Sequence, residues 1–181
     1  MKERPILFNS EMVRAILEGR KTQTRRVINC KNGDVNGYDG EWIEGVYEWA
    51  YQSVHGLCTA KCPFGQVGDR LWVRETFHSD AMESPTFDYK ADMGNMHFHD
   101  GWTPSIHMPR WASRITLEIT GVRVERLCDI CENDARAEGI IVGTIPKVLP
   151  TCRAYFHLLW QSIYKNWYEN PYVWIIEFKV I

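Results

Sequence analysis

The stretch GRKTQTRR, Gly19 to Arg26, lies where a short helical pattern gives way to an extended one. Gly19 is the kind of residue that closes a helix in the left-handed conformation. Thr22 and Thr24, followed by Val27 and Ile28, supply the β-branched side chains that suit a strand. A strand over Thr22–Ile28 places Thr22, Thr24, Arg26 and Ile28 on one face and Gln23, Arg25 and Val27 on the other. One face thus carries a hydroxyl and a guanidinium in line, with Lys21 at the strand's mouth. Cations this dense need an anion, either a carboxylate or a phosphate.

Working outward, the segment DRLWVRETF, Asp69 to Phe77, reads as a strand with Leu71, Val73, Glu75 and Phe77 on one side. Glu75 then sits on an apolar face, where a carboxylate needs a cationic partner, a raised pKa or a route to solvent. Lys21 or Arg26 is the expected partner. Upstream, Ser10 is placed to cap a helix whose Met12, Val13, Ile16 and Leu17 share a face before Gly19 ends it. Ile6–Phe8 is a short apolar run suited to a first strand.

Gly19, Lys21, Thr24 and Arg26 match the G-x-K-x-x-T-x-R signature of ASCH domains, small β-barrels of the PUA-like superfamily, and WVRETF with Glu75 resembles that family's second signature strand. The opening RPILFNSEMVRAILEGRKTQTRR, the segment PSIHMPRWASRITLEITGVRVERL and the closing NPYVWIIEFKVI are similar to ASCH proteins of phage and prophage type. The resemblance implies an α+β fold: a PUA-like barrel of five or six strands with about three flanking helices. It also implies a cavity lined by Lys21, Thr24, Arg26 and Glu75. In small bacterial members, Lys, Thr and Glu at the matching positions are assigned amidohydrolase roles on acetylated cytidine. The family includes RNA binders as well as small hydrolases, and one fold hosts many functions.

The composition agrees with a single soluble domain over residues 1–181: 45% hydrophobic, 24% charged and a net charge of −2. A generically basic nucleic-acid protein is excluded, but a local basic cleft is not, since Arg20, Lys21, Arg25 and Arg26 cluster, as do Arg110, Arg114, Arg123 and Arg126. Neither a membrane-spanning run nor a signal-peptide core is legible, so the cytoplasm is the expected compartment.

Two insertions interrupt the pattern, at about 29–66 and 78–110. In the first, Gly33, Gly37, Gly40 and Gly45 alternate with aromatic residues, and Glu41–Trp49 suits a hairpin. A phage adaptor working through protein contacts would use these aromatics. Cys30, His55, Cys58 and Cys62 are spaced to allow a structural zinc that would staple this insertion. No other cofactor is implied. The second insertion reads as an irregular lid or rim with a strand near Phe87–Ala91. Next come a strand over Ser113–Thr120, a break at Gly121 and a further strand to Leu127. Asp129 and Glu132 have capping-box spacing for a helix ended by Gly139, and a longer helix covers Thr151–Tyr164. Tyr172–Val180 is apolar throughout and suits an interior strand. Cys128 and Cys131 form a C-x-x-C pair without a second half.

Two constellations could carry chemistry. A lysine desolvated beside Arg26 would have a depressed pKa and could activate the Thr24 hydroxyl, with Glu75 orienting Lys21 or shuttling a proton and Arg26 stabilising an oxyanion. Arg74 and the cluster His107, Arg110 and Trp111 offer phosphate contacts, proton transfer and base stacking, which would suit a nucleotide. The readings left open are binding of RNA or a modified nucleoside without catalysis, amidohydrolysis of an N-acylated cytidine-type nucleoside by Lys21, Thr24 and Glu75, and ribonuclease chemistry using His107 and Lys21.

Overall fold

The computed structural model describes residues 1–28, 40–43, 48–53, 56–80, 86–142 and 151–181. In chain order the elements are β1 (Glu3–Leu7), α1 (Ser10–Leu17), β2 (Gln23–Val27), β3 (Gly40–Ile43), β4 (Glu48–Ser53), β5 (Gly56–Lys61), β6 (Arg70–Arg74), β7 (Phe77–Asp80), β8 (Thr86–Tyr89), α2 (Lys90–Met93), β9 (Thr116–Arg126), α3 (Glu132–Ala137), α4 (Cys152–Ile163) and β10 (Tyr172–Val180). The main sheet has five strands in the order β1-β6-β9-β10-β2, parallel only between β1 and β6.

This sheet does not close into a barrel, contrary to the expectation from the resemblance. Among the described residues β1 pairs only with β6 and β2 only with β10, so no backbone ladder there joins the two edges. The sheet is nevertheless strongly curled. Five strands laid flat would set their edges about 19 Å apart, yet the Arg26 side chain spans the gap and its Nη2 donates to the Leu7 carbonyl at 2.8 Å. One side chain stands where barrel closure would require a run of main-chain hydrogen bonds.

Both faces of the sheet are buried, which accounts for the unbroken apolar run of β10. Trp174, Ile176 and Phe178 pack with Ile6, Phe8 and Val13, while Val173 and Ile175 pack with Leu127, Phe156 and Trp160. Side chains of α4 reach β2, with the Arg25 guanidinium over the Phe156 ring at 5.9 Å from its centroid.

Several local readings need correction. Asn9, not Ser10, caps α1, its side chain accepting from the Met12 N–H at 2.8 Å. Gly121 does not break a strand. β9 runs through it opposite Glu177, next to a bulge at Thr120 of β9, and a Cβ at position 121 would lie 2.5 Å from the Glu177 carboxylate. Cys131 caps α3 through its sulfur, leaving Glu132 free to accept from the Cys152 and Arg153 N–H groups at 2.6 and 3.1 Å at the start of α4. The described residues hold four α-helices rather than about three, α2 being one short turn.

The second insertion is more regular than its composition suggests. It holds the hairpin β7–β8, then α2 and two 3-10 turns, Ser105–His107 and Arg110–Ala112. The first insertion carries the antiparallel sheet β3-β4-β5, which includes the expected hairpin. Of the proposed zinc ligands, Cys30 and His55 lie outside the described residues. Cys58 is on β5, and Cys62 is a buried free thiol.

Candidate functional site

The signature loop is built by the end of α1. Gly19, at φ +73, lets the chain turn back so that the Arg20 and Lys21 N–H groups both donate to the Ala15 carbonyl at 2.9 Å. Lys21 then bridges to Glu138 just past α3, and the Thr22 N–H bonds to the Ala137 carbonyl at 2.8 Å. A distant helix end is thereby sewn onto the entry to β2.

On this side every cation meets a carboxylate. Lys21 Nζ donates to Glu138 Oε2 at 2.7 Å and to the Glu138 carbonyl at 3.0 Å. Arg25 donates to Glu138 Oε1 at 3.1 Å and Asp134 Oδ2 at 3.0 Å, and Arg123 extends the network to Asp134, Glu125 and Glu177. Lys21 is 2% exposed, Arg25 1% and Glu138 5%. Burial pushes the Lys21 ammonium below its ordinary pKa, and the attraction of Glu138 only partly restores it. Burial raises the Asp134 carboxyl, but the charges of Arg25 and Arg123 more than offset this and hold it below its ordinary value.

Arg26 faces the gap between the sheet edges, in a cleft of about 420 Å³. Its walls include Phe8, Asn9, Met12, Thr76, Ser105 and Tyr164. The guanidinium lies over the Phe8 ring, 5.3 Å from its centroid, and donates to the carbonyls of Leu7 and Arg25 at 2.8 and 3.3 Å. Among the described residues it has no carboxylate partner, so its charge is fixed in position and uncompensated. Below it a hollow of only about 20 Å³, touching Thr24, Arg26 and Glu138, is lidded by Trp160 and Tyr164 of the α4 region.

Among solved structures, the chain is similar to an ASCH domain from Lactobacillus crispatus JV V101, known from a high-resolution crystal structure. The identity is 18%, the match covers 99% of this chain and 79% of that one, and the TM-score is 0.42. No family model matches the chain, and neither does any curated protein.

The remaining candidate residues fall in other places. Glu75 is buried at 1% exposure, as its position in the alternation with Leu71, Val73 and Phe77 requires. Its partner is neither Lys21 nor Arg26. Arg114 grips it through Nε and Nη2 at 2.9 and 3.2 Å, and the same guanidinium holds Asp92 of α2 and lies over the Tyr89 ring. Lys21 is already satisfied by Glu138, whereas Arg114 lies close enough to take both Glu75 oxygens. Burial raises the Glu75 pKa despite that arginine.

Arg74 donates to the carbonyls of Met108, at 3.1 Å, and Ile106. Arg110 pairs with Glu3 at 2.8 Å, while His107 and Trp111 are exposed. From this segment it is Ser105 that reaches the cleft. Sequence reasoning missed Glu138 and Asp134. Their one legible cue is Gly139, which the sequence marks as a helix end without indicating what that end would dock against. Among the described residues no group of three or more His, Cys, Asp or Glu is placed to hold a metal, and no helix is long and apolar enough to cross a membrane.

Proposed function

We propose that this chain binds a planar nucleobase, as part of RNA or a modified nucleoside, in the cleft between β1 and β2, and that it does so without chemical turnover. The observation that carries this reading is Arg26, a charged plane backed by Phe8 and held by two carbonyls. Two of its five N–H donors are engaged and Phe8 backs one face, so it offers a guest its other face, and a guanidinium face stacks well on an aromatic ring. A volume of about 420 Å³ suits a nucleoside-sized ligand, and Asn9, Thr76 and Ser105 supply polar groups around an apolar wall.

Hydrolysis is the second reading, favoured by the lowered pKa of Lys21. It is less well supported because Lys21 is saturated by Glu138, Glu75 is held by Arg114, and the space at Thr24 is the size of a water molecule. The test is to titrate wild type, Arg26→Ala and Arg26→Lys with nucleosides and short RNAs, and to assay N-acylated nucleosides with wild type and Thr24→Ala. Arg26→Ala should weaken binding by about tenfold or more, and Arg26→Lys should recover little, since it restores the charge but not the plane. The salt slope should be shallow, near the −0.7 expected for one phosphate contact on a single strand. Turnover by wild type that Thr24→Ala abolishes would overturn the non-catalytic reading.

A further inference from the structure

The Ser105–Ala112 segment is held to the sheet by far more than a surface loop needs. Met108 and Ala112, each 1% exposed, anchor it beside Phe77. Arg74 of β6 ties the Ile106 and Met108 carbonyls, the Tyr89 hydroxyl donates to the Ala112 carbonyl at 2.9 Å, and Arg110 is clamped to Glu3 of β1. The next residue, Ser113, donates from its hydroxyl to the Val73 carbonyl at 2.7 Å. What this anchored segment presents to solvent is Trp111, 69% exposed, with Phe87 behind it at 5.2 Å between ring centroids. Arg110, the chain neighbour of Trp111, lies with Arg74 over the Trp72 ring, at 6.0 and 5.4 Å from its centroid. Arg74 bonds only to carbonyls and, among the described residues, has no carboxylate partner.

We infer that Trp111, with the Arg74–Trp72–Arg110 stack beside it, is a second base-binding platform, on which single-stranded RNA leaving the cleft stacks a neighbouring base. This deepens the proposed cleft function and rests on it. Continuity comes from Ser105, which lines the cleft and begins the same segment. Trp111 is six positions further along, which limits the distance to about 20 Å even for a fully extended chain. A rigidly held, exposed aromatic offers its face to a base, and Arg74, tied to the same segment through the Ile106 and Met108 carbonyls, offers charge to a phosphate. A protein interface would call for a continuous apolar patch. Here the chain neighbour of Trp111 is the charged Arg110, paired with Glu3 at the surface.

The experiment measures the affinity of adenylate and uridylate oligomers of one, two and four nucleotides for wild type, Trp111→Ala, Trp111→Phe and Arg26→Ala, with thermal melts confirming that each variant folds. In wild type the four-nucleotide oligomer should bind more tightly than the mononucleotide. Trp111→Ala should cut that ratio by about tenfold, and Trp111→Phe should keep most of it. An unchanged ratio in Trp111→Ala overturns the platform, while the cleft reading stands if Arg26→Ala still weakens mononucleotide binding. If Trp111→Ala lowers the ratio and Arg26→Ala leaves mononucleotide binding intact, the cleft assignment falls and takes with it the path from cleft to platform, leaving Trp111 only as a separate stacking site. A wild type with no dependence on oligomer length, whose residues 105–112 gain hydrogen-exchange protection only on self-association, overturns the platform in favour of a protein contact.

Discussion

Arg25 and Arg26 are neighbours in the chain, and their guanidinium groups meet opposite environments. Arg25 is fully enclosed and neutralised by Glu138 and Asp134. Arg26 stands at the mouth of a cleft with carbonyls for partners. The first side of β2 is a closed electrostatic structure whose loss should be felt in stability. The second is an open site whose loss should be felt in binding. A cation-rich signature therefore does not make a basic surface, because most of its charge can be spent inside the fold.

The sharpest way to break this contrast is Glu138→Leu, which strands both Lys21 and Arg25 without their shared acid. Removing one partner of a buried ion cluster costs about 3–5 kcal/mol, and the midpoint of urea unfolding should fall accordingly. Lys21→Met should cost less, since Glu138 keeps Arg25. An equally small effect of Glu138→Leu and Arg26→Ala would erase the distinction between the two sides.

Gly139→Ala comes next. Position 139 has φ +90, and a Cβ there would lie 2.8 Å from the Ala15 Cβ and 3.0 Å from the Lys21 Cβ. The strained backbone alone costs about 1–3 kcal/mol. If thermal unfolding shows no loss, then the close approach of the α3 end to Lys21 is not what holds the closed side together.

The smallest effect is the pH dependence. Asp134 has a folded pKa below its ordinary 3.8, so on acidification the unfolded chain takes up the proton first. Its contribution is present above 3.8 and is lost as pH falls through the lowered value. Glu75 has the opposite sign: with a folded pKa raised above 4.5, its contribution is full below that pH and fades as pH rises through the raised value. Urea midpoints across the acid range should show Asp134→Asn flattening the acid loss and Glu75→Gln flattening the decline at higher pH.

Much of this architecture was legible in the residues themselves. The burial of Leu71, Val73, Glu75 and Phe77, the helix expected over Thr151–Tyr164 and the interior placement of β10 all follow from local periodicity. Gly121 was misread because a glycine signals both a turn and a close approach, and only Glu177 across the ladder distinguishes them. The zinc candidates Cys30 and His55 fall outside the described residues.

Taken alone, the sequence determined which positions would be buried and which strand would carry the cations, since both are written within a few consecutive residues. Only the tertiary structure decided which acid each cation meets. Lys21 and Glu138 are 117 positions apart and Glu75 and Arg114 are 39 apart. It also decided that the sheet stays open at the β1 and β2 edges, leaving the cleft that Arg26 spans. Charge pairing inside a protein acts over a few ångströms in space, and no local pattern says which distant element will arrive there.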